Sequence, residues 1–310
     1  MKKRGFLFPG QGSQAVGMGR DFYLSSAFAQ KIFAKADESL GFKISQLCFD
    51  GPDERLQLTQ YTQPALLTVS YIAYALLERE PAIAAGHSLG EYTALVAAGS
   101  LRFEDAVLLV HKRGKYMQEA VPVGKGAMAA LLGLSIEQIR EVLDSIESGV
   151  AEIANWNSRE QIVIAGEKTA VERAVSLMDP PRAVFLPVSA PFHSSLMKRA
   201  EERLSHDLDR TEFQDLKFPV ITNVDARLID RGSDARDALK RQVSRPVLWF
   251  ESMELMASEN VDCYVELGPG KVLSGLMKRI ARDWDSSPHV VNAEDMQGLD
   301  RVKEMLNTEL

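Results

Sequence analysis

Apolar positions along the chain change their period many times, and each change marks a strand or a helix. Phe6-Leu7-Phe8 is a short apolar run of strand length, cut off by Pro9. Phe28, Ile32, Phe33, Ala36 and Leu40 recur at helical spacing and predict a helix over 26–40. Residues 64–78 are apolar almost all round, which predicts a fully buried helix. Pro64 is expected in its first turn, where a missing N–H costs nothing. A short apolar run at 82–85 reads as a strand and 90–98 as a helix. Ala106, Val107, Leu109, Val110 and Met117 predict a further helix over 103–119. Gly114 weakens that helix by about 1 kcal/mol relative to Ala and suits a close approach by another element.

From Gly124 the texture changes. Strands are predicted at 127–132, 150–154, 161–165 and 183–186, with helices at 135–147 and 169–178. Ser135 opens the first of these helices, with Glu137 and Gln138 in its first turn. The order is β-α-β-β-α-β, a ferredoxin-like unit. Asn155-Trp156-Asn157-Ser158 falls in the turn of its central hairpin. The unit is expected as a small subdomain at 124–189, inserted into a larger one made of 1–123 and 190–310. Beyond it the chain returns to alternating elements. Helices are predicted at 194–209, 234–243, 251–258 and 272–282, and strands at 219–225, 262–267 and 290–291. The fold class is α/β.

Composition changes this picture little. The chain has 310 residues, 45% hydrophobic and 25% charged, as in ordinary soluble domains. The net charge of −7 argues against nucleic-acid binding. Cys48 and Cys263 lie far apart, with neither a disulfide nor a metal pattern, and suit a reducing cytoplasm. No apolar run is long enough to cross a membrane, and the run at 1–9 is too short for a signal peptide.

The candidate chemistry centres on Gly86-His87-Ser88-Leu89-Gly90, a Gly-x-Ser-x-Gly turn between a predicted strand and a predicted helix. That is the context of a nucleophile elbow, whose sharp turn leaves no room for side chains at the flanking positions. Ser88 would stand near the positive end of the helix. A serine nucleophile needs a base. Of the five histidines, His193 lies where the chain re-enters the larger part after the insert, facing the cleft between the two. The elbow aims His87 away from Ser88; His111 is mid-helix, His206 on a charged helix and His289 near the C-terminus. The group that orients the base stays open: Asp225, after a predicted strand, or a backbone carbonyl. Gly10-Gln11-Gly12 is a turn whose backbone N–H groups could approach a ligand. Arg113 on its helix reads, from spacing alone, as a solvated or salt-bridged side chain.

These pieces come together in a resemblance. The sequence resembles the malonyl-CoA:acyl-carrier-protein transacylases, the acyltransferases of fatty-acid and polyketide synthesis. It does so through Pro9-Gly10-Gln11-Gly12, Gln63-Pro64, Gly86-His87-Ser88-Leu89-Gly90-Glu91, Arg113-Gly114, Pro191-Phe192-His193-Ser194, Asn223-Val224 and Glu266-Leu267-Gly268-Pro269-Gly270. The motifs keep their order from the N-terminus to about residue 282.

The resemblance implies an α/β-hydrolase-like large subdomain with an inserted ferredoxin-like small one, and the active site between them. It implies Ser88 as nucleophile and His193 as base and then acid. Gln11 and Leu89 would supply the oxyanion hole through their N–H groups, and Gln242 would orient His193 through its main-chain carbonyl. Arg113 would clamp the malonyl carboxylate, since a planar guanidinium can make two parallel hydrogen bonds to it. Phe192 would leave little room for a branched acyl group. The substrates implied are malonyl-CoA and an acyl-carrier protein, with no metal and no bound cofactor, in a cytoplasmic monomer. Lys112, Lys115, Lys198 and Arg199 are the basic residues expected to meet an acidic carrier. An acyl-thioester hydrolase and a non-catalytic carrier-binding module are the competing readings. Arg113 speaks against the first, and the intact set of Ser88, His193, Gln11 and Arg113 against the second. The chain departs from the family in a short stretch at 77–82 and in Arg159, where many members have proline.

Overall fold

A computed structural model describes residues 3–188 and 190–308. Ser189, the last residue expected in the insert, lies outside the described residues. Among the described residues, ten strands form two sheets. They are β1 (Lys3–Phe8), β2 (Ile83–Gly86), β3 (Gly126–Leu132), β4 (Ala151–Ser158), β5 (Gln161–Glu167), β6 (Arg182–Phe185), β7 (Val220–Ile221), β8 (Leu228–Ile229), β9 (Val261–Leu267) and β10 (His289–Ala293).

The larger sheet has the order β10-β9-β1-β2-β7-β8. Its first five strands run parallel, and β8 returns antiparallel to β7. Alternation along β1 sends Phe6 and Phe8 into the core on one face and Leu7 into the core on the other. Helices cover both faces. Thr59–Leu77 contributes Leu66, Val69 and Ile72 to the first core, and Trp249–Ser258 contributes Trp249, Met253 and Met256 to the second. Burial of each such side chain is worth about 1.5–3 kcal/mol.

The smaller sheet is antiparallel, in the order β4-β5-β3-β6. Taken in chain order its strands lie 2-3-1-4, the ferredoxin-like arrangement, with helices Ile136–Asp144 and Lys168–Met178 packed on one face. The first of these helices opens with a capping box between Ser135 and Gln138. The fold is therefore an α/β-hydrolase-like large part with a ferredoxin-like small one.

Two expectations need correction. The buried helix begins at Thr59, so Pro64 sits inside it rather than in its first turn. Proline there leaves the carbonyl of Gln60 without its helical donor. His111 Nδ1 takes that carbonyl at 2.7 Å, which is why an interior proline is tolerated. Residues 155–158 belong to β4, and only Arg159 and Glu160 turn the hairpin. The polar run is held as strand because it pairs twice: with β5 through two register shifts, and with Val247, whose carbonyl accepts from Trp156 N–H at 2.9 Å. A C-terminal helix, Met296–Thr308, adds to the predicted elements, and Leu299, Val302 and Leu306 bury one face of it at helical spacing.

Candidate active site

The elbow is built as its glycines require. A Cβ on Gly86 would lie 1.9 Å from the carbonyl of Gly90, and one on Gly90 would lie 2.0 Å from the carbonyl of Phe8. Between them Ser88 adopts φ +52°, a left-handed conformation that costs a side-chain-bearing residue about 1–3 kcal/mol. His193 is left-handed as well, at φ +59°. Both strained residues meet: Ser88 Oγ lies 2.7 Å from His193 Nε2.

The tautomer follows from the other ring nitrogen. His193 Nδ1 is 2.9 Å from the carbonyl oxygen of Gln242, which can only accept. Nδ1 therefore carries the proton, and Nε2 accepts from the serine hydroxyl. Asp225 does not take part, because both its oxygens are held by Arg241 at 2.7 Å. Of the two options left open by the residues, it is the backbone carbonyl that lies against the His193 ring. Burial, with the Arg113 charge nearby, lowers the His193 pKa to about 3, so the resting imidazole is neutral.

Arg113 lies under the serine. Its Nη1 donates to Gln63 Oε1 at 2.8 Å, and its Nη2 to Gln242 Oε1 at 2.9 Å and Ser88 Oγ at 3.1 Å. The side chain is 1% exposed, its Nε has no acceptor among the described residues, and no carboxylate there pairs with it. A solvated arginine is thus not what the fold contains. It contains a buried cation held by neutral oxygens, with its pKa lowered chiefly by burial. Gly114 allows this. A Cβ there would meet Thr59 O and the backbone of Gln60 at under 3 Å, so the Phe103–Glu119 helix can lie against the first turn of the buried helix.

Gln11, Ser88, Leu89, Arg113, Phe192 and His193 line one cavity of about 300 Å³ between the two sheets. The N–H groups of Gln11 and Leu89 have no acceptor among the described residues. Leu89 is the N-cap of the elbow helix Gly90–Ala97, where a free N–H and the helix dipole favour a negative charge. The opposite wall is mostly apolar, with Met128, Ala130, Val163, Leu186 and Val188 from β3, β5 and the segment after β6; its polar members are Asn155 and Asn157 of β4 and Gln161 of β5.

Three functional positions carried no assigned role in the sequence. Asn223 Oδ1 accepts from Ser88 N–H at 2.6 Å, and its Nδ2 donates to Gly86 O at 2.7 Å, clamping the elbow. His87 donates to Asn157 Oδ1 at 2.9 Å, joining the elbow to β4. Glu91, fully buried, holds both Asn223 and Gln242. An acid inside the apolar run of the elbow helix was the one available signal for it. Among the basic residues expected at a carrier surface, Lys112 pairs with Asp207 at 2.5 Å, Lys115 with Glu119 at 4.0 Å, and Lys198 with Glu201. Arg159 stacks over the Phe250 ring at 5.2 Å.

An elbow serine, a carbonyl-oriented histidine and two free N–H groups in one cleft define a serine acyltransferase or its hydrolytic counterpart. Residues 5–298 match the family model described as acyl transferase domain. The chain is 47% identical over 293 residues to the malonyl CoA-acyl carrier protein transacylase of Bacillus subtilis, covering 91% of this chain and 92% of that one. It is 47% identical over 288 residues to the Escherichia coli K12 protein of the same name, covering 90% and 93%. Its structure is similar to that of an acyl carrier protein S-malonyltransferase from Vibrio cholerae, with a TM-score of 0.93 at 44% identity, covering 97% of this chain and 99% of that one. It also resembles a malonyl-transacylase in complex with a type II polyketide acyl-carrier protein, with a TM-score of 0.94 at 40% identity, covering 98% and 99%. The chain belongs to the malonyl-CoA:acyl-carrier-protein transacylase family.

Proposed function

We propose that the protein moves a malonyl group from malonyl-CoA to the phosphopantetheine thiol of an acyl-carrier protein, by a ping-pong route through an ester on Ser88. The observation that carries the reading is Arg113: a buried guanidinium beside the nucleophile, with no carboxylate partner among the described residues. A malonyl carboxylate would supply that partner. An acetyl group would leave the cation unpaired, at a cost of several kcal/mol.

Ser88 Oγ attacks the thioester carbon while its proton passes to His193 Nε2. The negative oxygen that forms is met by the N–H groups of Gln11 and Leu89. The C–S bond breaks, the sulfur takes the proton from His193, and CoA leaves. The carrier thiol then attacks the ester with the same proton path reversed. Arg113 has a second consequence. Its charge is one cause of the low His193 pKa. A carboxylate seated on the guanidinium offsets that charge, so the base strengthens when a malonyl group is in place.

Base, oxyanion donors and clamp are all side chains or backbone of this chain, so the proposed route uses no metal or cofactor. Phe192, 8% exposed in the cavity wall, would restrict branching at the acyl α-carbon. The proposed division places 124–189 as the small subdomain between 1–123 and 190–310, and the proposed setting is a cytoplasmic monomer. No helix among the described residues is long and apolar enough to cross a membrane. The test is turnover with malonyl-CoA, with and without a phosphopantetheinylated carrier protein. Transfer to the carrier with little free malonate supports the reading. Steady malonate release that ignores the carrier would mean a hydrolase.

A further inference from the structure

Glu91 is a carboxyl group at the floor of the site that the mechanism above does not use. It lies in the first turn of the elbow helix and is 0% exposed. A single oxygen, Oε2, accepts from Asn223 N–H at 2.9 Å and from Gln242 Nε2 at 2.8 Å. Asn223 holds the Ser88 N–H, while Gln242 donates from the same Nε2 to Ser88 O at 3.0 Å, offers its side-chain oxygen to Arg113 and its main-chain oxygen to His193. The Gln242 amide thus lies between a cation at its oxygen and a carboxyl group at its nitrogen. Every group that touches the acyl chemistry from below is one step from Glu91. Its other oxygen, Oε1, has no partner among the described residues.

We propose that Glu91 is a positioning residue that holds Ser88, His193 and Arg113 through Asn223 and Gln242, and whose ionisation opposes entry of a second carboxylate at Arg113. The acyl carboxylate would arrive on Arg113, which is itself two hydrogen bonds from Glu91 through Gln242. An ionised Glu91 and a malonyl carboxylate on Arg113, joined through Gln242, are like charges in one buried web and repel, so a malonyl group should seat more readily when Glu91 is protonated. Burial pushes the Glu91 carboxyl up to about 7, against the pull of its two hydrogen bonds and of Arg113, which puts this change within ordinary working pH. The charged and titratable groups around it are Arg113 on the Phe103–Glu119 helix, Tyr92 on its own helix, and Asp225 beyond β7, itself paired with Arg241. Tyr92 stays neutral, its pKa raised by burial.

The inference rests on the reading of Arg113 as the carboxylate clamp. The test is the rate of Ser88 acylation by malonyl-CoA and by acetyl-CoA between pH 6 and 8, in wild type, Glu91→Gln, Glu91→Ala and Arg113→Met. The CoA moiety is common to both substrates, so the malonyl-to-acetyl ratio cancels its titration. In wild type the ratio should rise on the order of threefold to tenfold as pH falls from 8 to 6. Glu91→Gln keeps an acceptor without the charge, so its ratio should be high and flat. Glu91→Ala should slow acylation by both thioesters, about tenfold or more, because Asn223 and Gln242 lose their anchor. A flat wild-type ratio, or the same slope in Glu91→Gln, overturns the proposal, and neither result depends on whether Glu91→Ala folds. Arg113→Met separates the two readings. If it keeps the malonyl preference, the clamp itself is wrong; if it loses the preference while the Glu91 variants behave as wild type, only the role of Glu91 is wrong.

Discussion

The wall of the cleft carried by the large sheet holds Ser88, His193 and Arg113 in a continuous web of hydrogen bonds, whereas the small-sheet wall presents Met128, Ala130, Val163 and Leu186. On the first wall two residues sit at positive φ, a cation is buried with no carboxylate bonded to it among the described residues, and burial pushes a carboxyl pKa up to about 7. Each of these is costly alone and is held by its neighbours. On the second wall no lining residue sits at positive φ, and the polar members are Asn155, Asn157 and Gln161. One wall fixes chemistry and the other shape, and the joints between them include His87 with Asn157, β4 with Val247 and Trp156 against Phe250. Substitutions on the two walls should therefore fail differently.

The largest effect is expected on the chemical wall. His193→Ala should slow acylation by about 10²–10⁴-fold, read as the rate of adduct formation by mass. It should also change how stability depends on pH. In wild type the unfolded histidine, near 6.5, binds a proton that the folded one, near 3, refuses. Its contribution is therefore whole above pH 6.5 and is lost as pH falls towards 3. Denaturant unfolding at pH 7.5 and pH 5 should show a smaller difference in the variant.

A middle effect is expected across the cleft. Val163→Ala should leave kcat within about threefold and shift KM for malonyl-CoA by up to about tenfold, since it changes fit and not chemistry. A kcat loss as large as that of His193→Ala would dissolve the contrast between the walls. The smallest effect belongs to Asp225→Asn. Its partner is Arg241 on a half-exposed surface, and such pairs are worth about 0–1 kcal/mol. Acylation should stay within about twofold. A drop matching that of His193→Ala would restore Asp225 as the orienting acid.

Legibility in the sequence follows the same division. The elbow could be read because its glycines are demanded locally, by contacts within a few residues and with β1. The ferredoxin-like unit could be read because its periods alternate cleanly. The carbonyl of Gln242 could not be derived from residue types, because a main-chain atom leaves no signature; it came only from resemblance. Asp225 drew attention as an acid after a strand, and only the fold shows that Arg241 holds it. Residues 155–158 look like a turn by composition, and their strand partner Val247 lies some ninety residues away. Pro64 looked like a helix start because its compensation, His111, sits on another helix.

The most direct test of the account is intact mass after separate mixing with malonyl-CoA and acetyl-CoA, in wild type, Ser88→Ala and Arg113→Met. The account predicts a malonyl adduct in wild type with little acetyl adduct, none in Ser88→Ala, and a malonyl preference weakened about 10²–10³-fold in Arg113→Met. Equal labelling of wild type by both thioesters would contradict it, because the buried guanidinium would then not be reading the carboxylate.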